Sequence, residues 1–132
     1  MLIKSVLMVD DDPDDRLLFL EAVAEIDPSI KCTTASCGTD ALQMLKNEDV
    51  PLPDIIFLDL NMPKMDGKQC LKHVKKIPAL SSIPLVIYST SKMPLEIEET
   101  KKLGADYFLT KPISMKDLKK ELLFLLSKNW GE

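Results

Sequence analysis

The chain has 132 residues, 45% of them hydrophobic, and its 21 acidic side chains outnumber 17 Lys and Arg to leave a formal charge of −4. That length fits one domain with a proper core, the hydrophobic share excludes a disordered chain, and the acidic balance argues against an intrinsic nucleic-acid surface. No apolar stretch approaches the roughly 20 residues of a membrane span, the start lacks a signal-peptide layout, and 3 cysteines with 1 histidine lack zinc-ligand spacing, so reduced thiols in a cytoplasmic protein are expected.

The elements alternate regularly. Leu2–Val9 (LIKSVLMV) predicts a buried strand ending at Asp10–Asp11–Asp12. Asp12 is a good N-cap and Pro13 a good first residue for a helix over Pro13–Ile26, with Phe19, Val23 and Ile26 at helical spacing and Leu20 and Ala24 widening the arc. Ile30–Ala35 predicts a second strand and Thr39–Asn47 a short helix, before the Pro51–Leu52–Pro53 break. Asp54–Leu58 (DIIFL) predicts a third strand, ending at Asp59, and Gly67–Lys76 a third helix that stops before Pro78. Leu85–Ser89 (LVIYS) predicts a fourth strand, Pro94–Leu103 a fourth helix closed by Gly104, and Tyr107–Thr110 a fifth strand. Ser114–Ser127 predicts the last helix, opened by a capping-box-like Ser114 and Asp117. Its Leu118, Leu122, Leu123, Phe124, Leu125 and Leu126 wrap past one face, and the excess is expected to be core rather than a partner surface. The pattern is (βα)₅: a parallel five-stranded sheet covered by helices on both faces, one domain over residues 1–132.

In such a sheet, side chains at the carboxyl ends of neighbouring strands converge in one crevice. Carboxylates gathered there repel by about 1 kcal/mol per pair in water and several-fold more where water is scarce. Asp10, Asp11 and Asp59 therefore make sense if a hard divalent cation neutralises them, or if one of them does chemistry.

Taken in order, VLMVDDD, IIFLDLNMPKMDG, PLVIYSTS and DYFLTKP resemble the receiver domain of two-component response regulators, over essentially the whole chain. The resemblance implies a flavodoxin-like three-layer fold with strand order 2-1-3-4-5. It implies that Asp59 accepts a phosphoryl group, and that Mg²⁺ is held by Asp11 directly, Asp10 largely through water, Asp59, and the backbone carbonyl of Asn61. Ser89 matches the hydroxyl that donates to the phosphoryl group, with Thr90 as a rival by residue type. Lys111, before a Pro112 whose peptide bond the family has as cis, would pair with Asp59 before modification and with the phosphoryl oxygens after it. Phe108 falls at the switch aromatic, where many members have Tyr; plain core is its other reading, and alternation sends Tyr107 to the opposite face. Asn61 and Ser91 resemble positions that tune phosphoryl lifetime, and neither carries a strong base, so slow-to-moderate autodephosphorylation is expected.

Asp12 is explained by capping alone and stays outside the metal set. His73, among Lys72, Lys75 and Lys76, reads as solvated, as do the lysines at 72–76 and 101–102; Met62 and Met65 are expected to pack locally around Pro63. The function implied is a signalling module rather than an enzyme. A sensor histidine kinase or phosphotransfer protein donates to Asp59, and the strand 4–helix 4–strand 5 face (Ser91–Gly104, Tyr107 and Phe108) controls a downstream protein. A homodimer through helix 4, strand 5 and helix 5 is a further option; no membrane or direct nucleic-acid partner is expected. Two other readings stay open. An aspartate-nucleophile phosphohydrolase would need an acid where Asn61 stands, and a scaffold would need the loss of an acid, the hydroxyl or the lysine. The chain would serve as a free-standing shuttle or as part of a longer regulator.

Overall fold

The structure, a computed structural model, describes residues 3–62 and 65–130. The expected strand start at Leu2, the turn at Pro63 and the end at Gly131–Glu132 lie outside the described residues.

Five parallel strands, β1 (Ser5–Val9), β2 (Lys31–Ala35), β3 (Ile55–Leu58), β4 (Leu85–Ser89) and β5 (Tyr107–Thr110), lie in the order β2-β1-β3-β4-β5. The five long helices are α1 (Pro13–Ile26), α2 (Gly38–Lys46), α3 (Gly67–Lys76), α4 (Pro94–Lys102) and α5 (Met115–Ser127). The expected elements are all present: Pro13–Ile26, Gly67–Lys76, Leu85–Ser89 and Tyr107–Thr110 keep their expected ends, and the others shift at one or both ends by one to three residues. A single helical turn, Pro78–Ser81, was not anticipated: Pro78 ends one helix but also starts this turn at its first position.

Period-2 alternation sorts the apolar side chains into two layers. Val6 and Met8 of β1, with Phe57, Val86 and Tyr88, pack under α1 and α5 against Phe19, Val23, Leu118 and Leu122. Leu7 and Val9, with Ile56, Leu58 and Ile87, pack under α2 and α3 against Leu42, Leu45, Leu71 and Val74. In α1 the buried set is Phe19, Ala22 and Val23; Leu20 is half-buried and Ala24 exposed, so the buried arc is narrower than expected and turned toward Ala22.

The last helix corrects a second expectation. Leu118, Leu122, Leu125 and Leu126 are buried, but Leu123 and Phe124 are 49% and 53% exposed. A 13-residue helix presents only one stripe to a sheet, and these two point away from it. Phe124 lies against Tyr107 instead, ring centroids 6.3 Å apart. Ser114 accepts from the Asp117 N–H as expected. The reciprocal capping box forms elsewhere, at Asp66 and Gln69 opening α3.

Lys75 was expected to be solvated. It is half-buried and donates to the carbonyls of Ser81 and Ile83 and to Asp106, tying α3 to the segments before β4 and β5. Lys72, His73, Lys76, Lys101 and Lys102 are exposed as expected. Met62 is buried and Met65 half-buried, and both reach the layer under α2 and α3 rather than packing only locally around the turn.

Candidate functional site

The register of the sheet builds the site. Val9 pairs with Leu58 and with Ala35, so Asp10 and Asp59 leave adjacent strands at the same level. The Asp10 N–H donates to the Ala35 carbonyl and the Asp59 N–H to the Val9 carbonyl, which extends the ladder by one residue and fixes both Cα atoms. Ser89 pairs with Thr110, and the Lys111 N–H donates to the Ser89 carbonyl at 2.7 Å, so the hydroxyl and the lysine sit at the same end.

Asp10, Asp11 and Asp59 each offer a carboxylate oxygen, all within 4.8 Å of one another, the one metal-competent cluster among the described residues. Asp10 is fully buried, Asp59 5% exposed and Asp11 exposed. This donor set fits a hard divalent cation: all oxygen, two buried and one open to solvent. Burial pushes the Asp59 carboxyl up to about 7; the Lys111 ammonium draws it down and the Asp10 charge raises it again. Asp12 lies outside the cluster and caps α1, accepting from the Asp14 and Asp15 N–H groups.

Lys111 is only 11% exposed, and the expected ion pair with Asp59 forms but is not its shortest contact. Its Nζ lies 2.8 Å from Asp10 Oδ2 and 2.8 Å from Asp15 Oδ2, but 3.8 Å from Asp59 Oδ2. Burial would lower its pKa, yet the bonds to Asp10 and Asp15 and the charge of Asp59 hold it well above the ordinary lysine value. Asp15 went unread in the sequence because an acid in a first helical turn already has a reason to be there. No peptide bond among the described residues is cis, so the one before Pro112 is trans.

Ser89 is fully buried, and its Oγ accepts from the Ser91 N–H; Thr90 is exposed, which separates the two hydroxyls. Ser91 Oγ accepts from the Met93 N–H just ahead of α4, where Met93 is the cap residue and its side chain caps nothing. Thr110 Oγ1 donates to the Ser91 carbonyl, so the loop after Ser89 is tied to β5. Phe108 is half-buried against the layer under α2 and α3, and Tyr107 against the opposite layer, as alternation requires. Asn61 is exposed, and its N–H faces Asp59 Oδ1 at 3.4 Å.

A residue missed in the sequence is Gly67. A Cβ there would stand 2.2 Å from the Asp59 carbonyl oxygen and 2.6 Å from Leu60 Cα, and its N–H donates to the Leu60 carbonyl at 2.9 Å. The backbone carrying Asp59 is thus pressed directly against the start of α3, a contact that only glycine admits. The signal was in the quoted NMPKMDG run, read there as a motif and not as a close approach.

Comparison with known proteins agrees with this geometry. The family described as "response regulator receiver domain" matches residues 6–123. Response regulator Rcp1 of Synechocystis sp. is 32% identical over 119 residues, 87% of this chain and 81% of that protein. The two-component response regulator ARR17 of Arabidopsis thaliana is 36% identical over 131 residues, 92% of this chain and 84% of that protein. The crystal structure of the Mn²⁺-bound form of Rcp1 superposes with a TM-score of 0.84 at 30% identity, covering 96% of each chain. That of the phosphorylated cyanobacterial phytochrome response regulator RcpA superposes at 0.85 and 30% identity, covering 93% of this chain and 91% of that one. With its 2-1-3-4-5 sheet and its acidic cluster at the carboxyl edge, the chain belongs to the response regulator receiver domain family.

Proposed function

We propose that Asp59 is the phosphoacceptor of this receiver. The observation that carries the reading is the cluster itself: three carboxylates from the ends of adjacent strands within 4.8 Å, faced by the nearly buried Lys111. A carboxylate of Asp59 attacks phosphorus, the bond to the donor's imidazole nitrogen breaks, and the imidazole leaves with that electron pair, taking up a proton. A bound Mg²⁺, held by Asp10, Asp11, Asp59 and the Asn61 carbonyl, would offset the negative charge that otherwise repels the incoming phosphoryl group. Relatives described as Mn²⁺-bound and as phosphorylated support both parts of this assignment.

Ser89 and Lys111 then bind the phosphoryl oxygens. Ser89 Oγ already accepts from the Ser91 N–H, so its movement toward a phosphoryl oxygen pulls on the loop leading to α4. Phe108 follows into the space left beneath that loop. The face that changes is α4 with β5, where Met93, Leu95 and Ile97 are exposed and continuous in kind with Tyr107, Leu123 and Phe124. A downstream protein, or a second copy through α4, β5 and α5, would read it.

The donor is a histidine kinase or phosphotransfer protein, and the setting cytoplasmic, where kinases draw on ATP and thiols stay reduced. No helix among the described residues is long and apolar enough to cross a membrane. We take residues 1–132 as one receiver domain that performs only its own phosphorylation and dephosphorylation. Asn61 stands where a phosphohydrolase would need a leaving-group acid, and no acid, hydroxyl or lysine is missing as a scaffold would require.

The test is intact mass after incubation with acetyl phosphate, with and without Mg²⁺, for the wild type and Asp59→Asn. A Mg²⁺-dependent gain of one phosphoryl group in the wild type alone is expected. A gain that persists in the variant would overturn the assignment.

A further inference from the structure

Lys111 has three N–H donors, and two of them are committed: one to Asp10 Oδ2 and one to Asp15 Oδ2, each at 2.8 Å. The Tyr88 ring stands 5.3 Å from the same nitrogen, and Asp59 Oδ2 3.8 Å. The ammonium is therefore gripped by β1, α1 and β4, with its remaining donor free to meet what forms on Asp59. Asp15 reaches it because Asp12 caps α1, accepting from the Asp14 and Asp15 N–H groups and so fixing the first turn of that helix.

We propose that Asp15 is a positioning residue for phosphoryl transfer, acting through Lys111. The inference rests on Asp59 being the phosphoacceptor and adds the group that aims its lysine. Of the two anchors, Asp10 belongs to the three-acid cluster and Asp15 does not. When Asp10 shares its charge with a cation its hold on Lys111 weakens, and Asp15 remains as the undiluted partner. A lysine is a flexible point charge on a four-carbon stem, so a second fixed acceptor is what gives it direction. The role has a sign that a simple charge effect lacks. Asp15 is an acid close to a site that must admit an anionic donor, so removing its charge should speed transfer if field alone mattered. Removing an anchor should slow it.

The experiment measures the rate of phosphorylation by acetyl phosphate at saturating Mg²⁺ for wild type, Asp15→Asn, Lys111→Ala and the double variant. Asp14→Asn serves as a charge control, because Asp14 is exposed and lies beside Asp15 on the same turn. Mg²⁺ affinity and melting temperature of each protein are measured alongside. The proposal expects Asp15→Asn to slow the reaction roughly tenfold, with Mg²⁺ affinity kept and Asp14→Asn at or above the wild-type rate. It also expects the double variant to be no slower than Lys111→Ala, since Asp15 has nothing left to position. A rate in Asp15→Asn equal to or above wild type overturns the positioning role and leaves Asp59 as acceptor untouched. So does a slowing that multiplies with that of Lys111→Ala. A wild type that gains no phosphoryl group at all overturns the phosphoacceptor reading, and this inference with it.

Discussion

Asp59 is an acid held where ionisation is unfavourable. In the cation-free protein its carboxyl is pushed up to about 7, from an ordinary 3.8, first by burial and then by the charge of Asp10. Between those two values the folded chain holds a proton that the unfolded chain has released, so stability falls as pH rises through this interval. The penalty is absent below about pH 4 and complete above about pH 7. Asp59→Asn removes the charge at nearly constant shape. It should raise the melting temperature of the cation-free protein at pH 8 by several degrees, on the order of 1–3 kcal/mol; an unchanged or lower value would show that the cluster carries no strain. On the proposed metal set, the same proton would compete with Mg²⁺. Calorimetric titration should find binding roughly tenfold weaker at pH 6 than at pH 8, because the ligand must be deprotonated first. At Gly67 the expectation is harsher: Gly67→Ala forces a Cβ to within 2.2 Å of the Asp59 carbonyl, so both the melting temperature and the phosphorylation rate should drop.

Among the elements, the helices divide into faces that hold the fold and faces that do not. Leu122 and Leu125 are fully buried, and replacing either with Ala should cost about 2–5 kcal/mol in denaturant unfolding. Leu123→Ser and Leu95→Ser, on exposed faces, should stay within about 0.5 kcal/mol of wild type. A loss at Leu123 comparable with those at Leu122 and Leu125 would mean that α5 is rotated from the position described, and a like loss at Leu95 that α4 is. The order and kind of the elements were legible in the sequence because short apolar runs bounded by Pro, Gly and Asp leave few alternatives to a βα repeat. What was not legible depends on partners distant in sequence. Lys75 reads as one more surface lysine until Asp106 and the Ser81 and Ile83 carbonyls surround it. Leu123 and Phe124 read as core because composition cannot say which stripe of a helix meets the sheet. The acidic pair, Asp59 and Lys111 were legible as strand-end residues, whereas Asp15 was not, because its contact spans 96 positions of sequence.

For the whole molecule, the two apolar layers are rigid supports and the carboxyl edge of the sheet carries the chemistry. A cation bound there would be linked to folding, since the cluster exists only when β1 and β3 are in register. Mg²⁺ at 100 times its dissociation constant should therefore stabilise the chain by about 2.7 kcal/mol, and a chelator should reverse the gain. The gain should vanish in Asp11→Asn, the exposed acid of the cluster, while the fold persists. On the proposed reading, the change would pass from that edge through Ser89 and the Ser91 loop to α4 and β5, a two-state shift that an added phosphoryl group can drive. All of this depends on where the phosphoryl group goes. The most direct measurement is to phosphorylate the protein with Mg²⁺ present, reduce the acyl phosphate with borohydride, and map the resulting homoserine by peptide mass spectrometry. Homoserine at Asp59 is predicted. Homoserine at Asp10, Asp11 or Asp12, or at no aspartate in a protein that has gained the phosphoryl mass, would contradict the account.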